Sequence, residues 1–73
     1  MLELFSAPWC TKCKALKAWM IQEGVEFEER DIAIDFKAKA ELAMNNISAV
    51  PVLKKDNEYF VGEPTDLQKI IVG

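Results

Sequence analysis

The 73-residue chain has no histidine and only two cysteines, Cys10 and Cys13. A structural zinc site takes four Cys or His ligands, so this chain could hold one only by sharing it with a second copy, and no metal is expected. Basic residues are in deficit: 9 Lys and Arg against 12 Asp and Glu give a net charge of −3. That balance argues against a nucleic-acid partner, which needs a basic face. No run approaches the ~20 apolar residues of a membrane-spanning helix, so no membrane partner is expected. No leader, internal repeat, low-complexity tract or linker is visible. A lone pair of cysteines suits a reducing compartment, where such pairs are catalytic or redox-sensing, and a cytoplasmic protein is expected. With 51% apolar residues, residues 1–73 read as one small domain with a modest core, expected to be monomeric.

The informative stretch is Ser6-Ala7-Pro8-Trp9-Cys10-Thr11-Lys12-Cys13-Lys14. Apolar Leu2 to Phe5 precede it and read as a buried strand. A helical pattern follows from Thr11 to about Glu23, so the C-x-x-C lies where a strand turns into a helix. The first N–H groups of a helix lack intrahelical partners and favour an anion. With Cys10 as N-cap, its thiolate accepts from them, which lowers its pKa below the ordinary thiol value of about 8.5. Lys12 and Lys14 add positive charge nearby. Cys10, at the helix tip, is the expected nucleophile. Cys13, pointing back along the first turn, is the expected resolving thiol. Plain buried cysteines fit poorly beside an exposed Pro-Trp. A purely structural disulfide closing so short a loop removes little entropy from the unfolded chain.

Along the chain, Glu3 is discordant in the first strand and is expected near an exposed end. Cys13, Leu16, Trp19 and Met20 form the inward side of the first helix. Lys14 and Lys17 read as a solvated face, and Gly24 as a left-handed C-cap. Val25 to Ile32 alternates apolar and charged residues like an edge strand, its acids facing solvent. A strand–helix–strand unit implies parallel strands. Asp35 is the expected N-cap of a second helix, whose core side reads as Phe36, Ala40, Ala43 with Met44, and Ile47; Asn45-Asn46 ends it. Pro51 inside Ile47–Leu53 must stand at a strand start or special turn, and a cis Val50-Pro51 bond fits. Lys54 to Glu58 reads as a hairpin turn, Tyr59-Phe60-Val61 as the return strand ended by Gly62. Thr65-Asp66-Leu67-Gln68 reads as a capping box with Pro64 just before it, and Leu67, Ile70 and Ile71 as the buried side of a last helix. The order β-α-β-α-β-β-α predicts an α/β fold, a four-stranded mixed sheet with three helices. The C-x-x-C falls at the carboxyl end of the first strand, where such sheets place ligands.

This order, the C-x-x-C, Val50-Pro51, and Gly62 with Thr65-Asp66 before the final helix resemble the glutaredoxin family of the thioredoxin superfamily over essentially the whole chain. The resemblance implies a thioredoxin-like fold and thiol–disulfide exchange. It puts Cys10 on the family's nucleophile, Cys13 on its resolving cysteine and Pro51 on the cis-proline facing the sulfurs. It implies glutathione contacts from the Val50 backbone and, for the γ-glutamyl end, from Thr65 and Asp66. Thr11-Lys12 stand between the cysteines where many members have Pro-Tyr. Ala7, Pro8 and Trp9 stand where a basic residue often precedes the first cysteine. Glu63 replaces the second glycine of a Gly-Gly pair. Ala-Pro-Trp-Cys is similar to thioredoxin, and the short chain with Val50-Pro51-Val52 is similar to small redoxins that serve ribonucleotide reductase.

The expected function is thus a dithiol–disulfide oxidoreductase in cell redox homeostasis, reducing protein or glutathione mixed disulfides. Val50 and Pro51 would hold the substrate backbone, and Lys12, Thr65 and Asp66 charged ends of glutathione or of a protein loop. For Thr65 a helix cap alone is an equal explanation. No bound cofactor is expected, with glutathione as co-substrate. One alternative is a redoxin reduced by thioredoxin reductase and donating electrons to ribonucleotide reductase. Another is a non-enzymatic module using the cysteines as a redox sensor or shared metal site.

Overall fold

A computed structural model describes residues 1–73. Strand β1 (Leu2–Ser6) leads to helix α1 (Thr11–Gln22), β2 (Phe27–Asp31), α2 (Phe36–Met44), β3 (Val52–Lys55), β4 (Glu58–Val61) and α3 (Pro64–Val72). The sheet order is β2-β1-β3-β4. β1 runs parallel to β2, with Leu2 opposite Phe27 and Ser6 opposite Asp31. It runs antiparallel to β3, with Phe5 opposite Val52, and β3 and β4 form the hairpin. The expected architecture is therefore present.

Side chains alternate across a strand, so neighbours in the two central strands feed different cores. Leu4 and Leu53 pack with Leu16 and Met20 of α1 and Leu67 of α3. Phe5 and Val52 pack on the opposite face with Ala38 and Leu42 of α2. Gly24, at φ +69°, takes the left-handed turn after α1. Asp56 and Asn57, at φ 51° and 68°, make the two-residue β3–β4 turn. Positive φ at both central residues matches the right-handed twist of a hairpin. Lys54 and Lys55 accordingly belong to β3 and Glu58 to β4, so the turn is tighter than the expected Lys54–Glu58 loop.

Helix α2 corrects the sequence reading. Asp35 is its N-cap and accepts from the Ala38 N–H at 3.0 Å, but the helix is turned the other way. Ala38 and Leu42 are buried, whereas Phe36 and Met44 are 83% and 84% exposed, and Ala40 and Ala43 are exposed too. Apolar residues lie on both sides of this helix, and charge decides between them. Glu41 points inward to accept from Lys54 Nζ at 2.7 Å, from Arg30 Nη1 at 3.1 Å and from the Tyr59 hydroxyl. Burying the Phe36 side would aim Glu41 at water and take from Arg30 and Lys54 the carboxylate they share.

The same network corrects Glu3. It is half-buried in the sheet, accepting from Arg30 at 2.9 Å, with Lys54 Nζ at 3.8 Å. The Arg30 guanidinium also bonds Asp35 at 3.2 Å and lies 5.1 Å from the Phe5 ring centroid. The acidic run at the sheet edge is only partly solvated charge. Glu26 and Glu28 face water, but Glu29 accepts from Lys17 at 2.7 Å and from the Ser6 hydroxyl at 3.0 Å. Lys17 thus has a partner on β2 and is more than a solvated face.

The start of α3 is the last correction. The helix begins at Pro64, with Glu63 as N-cap. Asp66, not Gln68, is the third helical residue, and its carboxylate accepts from the Glu63 N–H at 3.2 Å. Proline is well suited to the first helical position, which moves the frame two residues ahead of the expected Thr65–Gln68 box. No helix of the chain is long and apolar enough to cross a membrane.

Candidate active site

Ala7, buried, follows the last residue of β1, and the chain then turns outward through Pro8 and Trp9. Trp9 is 71% exposed. The turn closes with the Cys10 N–H donating to the Ala7 carbonyl at 3.1 Å. Cys10 has extended backbone geometry and is the N-cap of α1. Its sulfur accepts from the Cys13 N–H at 3.1 Å, one of the otherwise unpartnered donors of the first turn. The two cysteines form a disulfide across that turn, with Cα atoms 5.2 Å apart. No acid stands in the first turn of α1, so the positive helix end is left for the sulfur.

The two sulfurs have different surroundings. Cys10 is half-buried at the surface, whereas Cys13 is only 2% exposed. Beside Cys13 a cavity of about 250 Å³ is bordered by Ser6, Lys14, Lys17, Glu29 and Asp31. The Lys17 ammonium holds the Glu29 carboxyl below its ordinary pKa; burial opposes this and the Ser6 hydroxyl assists it.

Across from α1, the Val50-Pro51 bond is cis. Pro51 is buried, and the Val50 carbonyl oxygen lies 3.8 Å from Cys10 Sγ. Residues forty apart in sequence thus meet at the carboxyl end of β1. The structure brings Cys10, Cys13, Val50 and Pro51 together. Lys12 reaches α3: its ammonium pairs with Glu63 at 2.6 Å, and Glu63 is linked through its N–H to Asp66. Thr65, exposed at the second position of α3, makes no side-chain hydrogen bond. Sequence reasoning missed Glu63 as the residue joining Lys12 to α3; its signal was the acid one residue ahead of Pro64. No group of three or more His, Cys, Asp or Glu side chains is arranged to hold a metal.

The arrangement offers a sulfur at a helix N-terminus, a second sulfur enclosed within bonding distance, and a backbone carbonyl beside the first. These are the parts for forming and breaking a disulfide at one accessible atom. Comparison with known proteins agrees. The glutaredoxin family model matches residues 2–60. An uncharacterized glutaredoxin-like 8.6 kDa protein in the rubredoxin operon of Clostridium pasteurianum is 29% identical, over 97% of each chain. The glutaredoxin-like protein NrdH of Lactococcus lactis is 28% identical, over 96% of this chain and 99% of its own. The solved structure of the glutaredoxin-like NrdH-redoxin from Escherichia coli superposes with a TM-score of 0.79 at 20% identity, over 94% of this chain and 92% of that one.

Proposed function

Because this chain belongs to the glutaredoxin family, we propose that it is a dithiol–disulfide oxidoreductase working through Cys10 and Cys13. The observation that carries the reading is Cys10 Sγ at the N-cap of α1, accepting from the Cys13 N–H beside the Val50 carbonyl. In the reduced protein the Cys10 thiolate attacks a substrate disulfide, and one substrate sulfur leaves as a thiolate. The Cys13 thiol then loses its proton and attacks Cys10 Sγ. The second substrate thiolate leaves and takes up a proton, and the protein becomes the Cys10–Cys13 disulfide. Two electrons pass from protein to substrate. The N-terminus of α1, whose Cys13 N–H donates to Cys10 Sγ, favours negative charge on that sulfur. Val50 and Pro51 present backbone and ring to the substrate chain.

Glutathione is one co-substrate for the return step, with Lys12, Thr65 and Asp66 meeting its charged ends and no resident cofactor needed. The Lys12–Glu63 pair favours a second electron source. It engages the site's cation with an internal carboxylate, which disfavours a small anionic thiol. The likeness to a protein named NrdH points the same way, to a thioredoxin reductase as donor and ribonucleotide reductase as acceptor in the cytoplasm. NADPH consumption with a model disulfide in two parallel reactions separates these sources. One contains glutathione and glutathione reductase; the other contains thioredoxin reductase. Turnover in only one names the donor. Failure of both with intact cysteines leaves the redox-sensor reading in place of the enzyme.

A further inference from the structure

Once a substrate is bonded to Cys10, its release falls to Cys13, whose thiol must ionise before it can attack. The place of Cys13 in the fold works against that. Cys13 is only 2% exposed, and burial disfavours a thiolate. Cys10 caps α1, whereas Cys13 lies inside the helix. The polar side of Cys13 is the cavity of about 250 Å³ between α1 and the neighbouring strands β1 and β2. Lys17 borders it from the same helix, one turn beyond Cys13. Side chains four apart on a helix are neighbours, with Cβ atoms ~5–6 Å apart. The Lys17 ammonium is fixed from the edge strand. One oxygen of Glu29 accepts from it at 2.7 Å, and the other accepts from the Ser6 hydroxyl at 3.0 Å. The remaining charges on the cavity are Lys14 of α1 and Asp31 of β2. Asp31 accepts from the Ala33 N–H at 2.8 Å, within its own loop. From α3, Glu63 is engaged by Lys12 at 2.6 Å.

We propose that the Lys17 ammonium, oriented by Glu29 and Ser6, favours the Cys13 thiolate and sets the pH range in which the mixed disulfide is resolved. The proposal rests on the dithiol reading of Cys10 and Cys13. In this step the Cys13 thiol gives its proton to solvent in the cavity, which is polar and roomy enough for water. The thiolate bonds Cys10 Sγ, the bond from Cys10 to the substrate sulfur breaks, and the substrate leaves as a thiolate. Cys10 is disulfide-bonded and uncharged throughout, so the charge that develops is on Cys13. Lys17 and Glu29 act on it with opposite sign. Lys17 attracts the thiolate. Glu29 repels it and offsets part of the Lys17 charge, while holding the ammonium in place. The same pairing holds the Glu29 carboxyl below its ordinary pKa. Both side chains are partly exposed, at 41% and 37%, so solvent screens them and their influence is below that of an enclosed pair. Neither touches the substrate; both are positioning residues that act through Cys13.

The test follows the second step of a single turnover. Fully reduced protein is mixed with an excess of a peptide whose one cysteine is disulfide-linked to a coloured aromatic thiol. The aromatic thiolate is the better leaving group, so colour reports the attack by Cys10. Samples quenched rapidly in acid and analysed by intact mass then give the decay of the Cys10–peptide mixed disulfide to the protein disulfide. The rate constant of that decay is plotted against pH, and its midpoint is the ionisation of Cys13. Lys17→Gln should raise the midpoint by about one pH unit, the low end of what a nearby charge does, because the pair is screened. Glu29→Gln, which keeps an acceptor for Lys17 without the charge, should lower it by about half a unit. Below the midpoint the thiolate fraction changes about tenfold per unit, and the opposing change in nucleophilicity leaves about a threefold change in rate. Lys17→Arg should bring the midpoint back toward that of the wild type. The double variant Lys17→Gln/Glu29→Gln should fall between the two single ones. An ion pair that is only a structural contact would move both single variants the same way. Midpoints that shift together, or that stay fixed while coloured thiolate is still released, overturn the role of Lys17 and leave the oxidoreductase reading standing. A wild-type protein that releases no coloured thiolate overturns that reading, and this inference with it.

Discussion

Replacing Glu41 by Gln should destabilise the protein by about 2 kcal/mol at pH 7, and the loss should fade in acid. Glu41 is half-buried under α2, where it accepts from Lys54, Tyr59 and Arg30. The Lys54 and Tyr59 hydrogen bonds, aided by Arg30 and opposed by burial, hold its carboxyl at about 2, against an ordinary 4.5. At ~1.4 kcal/mol per pKa unit that displacement sets a ceiling of ~3 kcal/mol, which solvent screening of a partly exposed site reduces to about 2. The folded chain holds the carboxylate more acidic than the unfolded chain does. The unfolded chain therefore takes up the proton first, and the contribution is complete above about pH 5. It is lost as pH falls from 4.5 toward 2. Urea unfolding of both proteins at pH 7 and pH 3 reads this directly. The difference between them should shrink to roughly 1 kcal/mol or less at pH 3. An equal difference at both pH values, or none at pH 7, would refute the placement of Glu41 among these cations.

Four further outcomes follow from particular residues. Leu42→Ala should cost about 2–4 kcal/mol of unfolding free energy, because Leu42 is buried against Phe5 and Val52. Phe36→Ala should stay within about 0.5 kcal/mol; the reverse ranking in denaturant melts would restore the α2 orientation read from sequence. Gly24→Ala should cost about 1 kcal/mol through backbone strain alone, since φ is +69° and a methyl there meets nothing within 4 Å; an unchanged melting temperature would contradict the left-handed turn. Alkylation of the reduced protein at pH 6 should label Cys10, since Cys13 is enclosed; peptide mapping that finds the label mainly on Cys13 would reverse their roles.

Much of the fold was legible because its local signals agree. Gly24, Asp35 and the cis-compatible Val50-Pro51 mark their turns by residue chemistry, and the C-x-x-C at the strand-to-helix junction marks the site. Most failures are places where a distant partner decides; the start of α3 is a local one. The apolar spacing of α2 fits two orientations, and only Arg30 and Lys54, from other strands, choose the one that turns Glu41 inward. Glu3 looked out of place in a central strand because the cations that match it come from β2 and β3. Thr65 resembled a helix cap, but Pro64 fits the first helical position, which made Glu63 the cap and brought it to Lys12.

The central claim is that Cys10 takes the substrate sulfur and Cys13 releases it. Trapping the mixed disulfide tests it most directly. A Cys13→Ser variant, lacking the resolving thiol, is incubated with a peptide disulfide and examined by intact mass and peptide mapping. A stable adduct on Cys10, absent from the wild-type protein and from Cys10→Ser, is the predicted result. A persistent adduct on Cys13 in the Cys10→Ser variant, with none on Cys10 in Cys13→Ser, would contradict it.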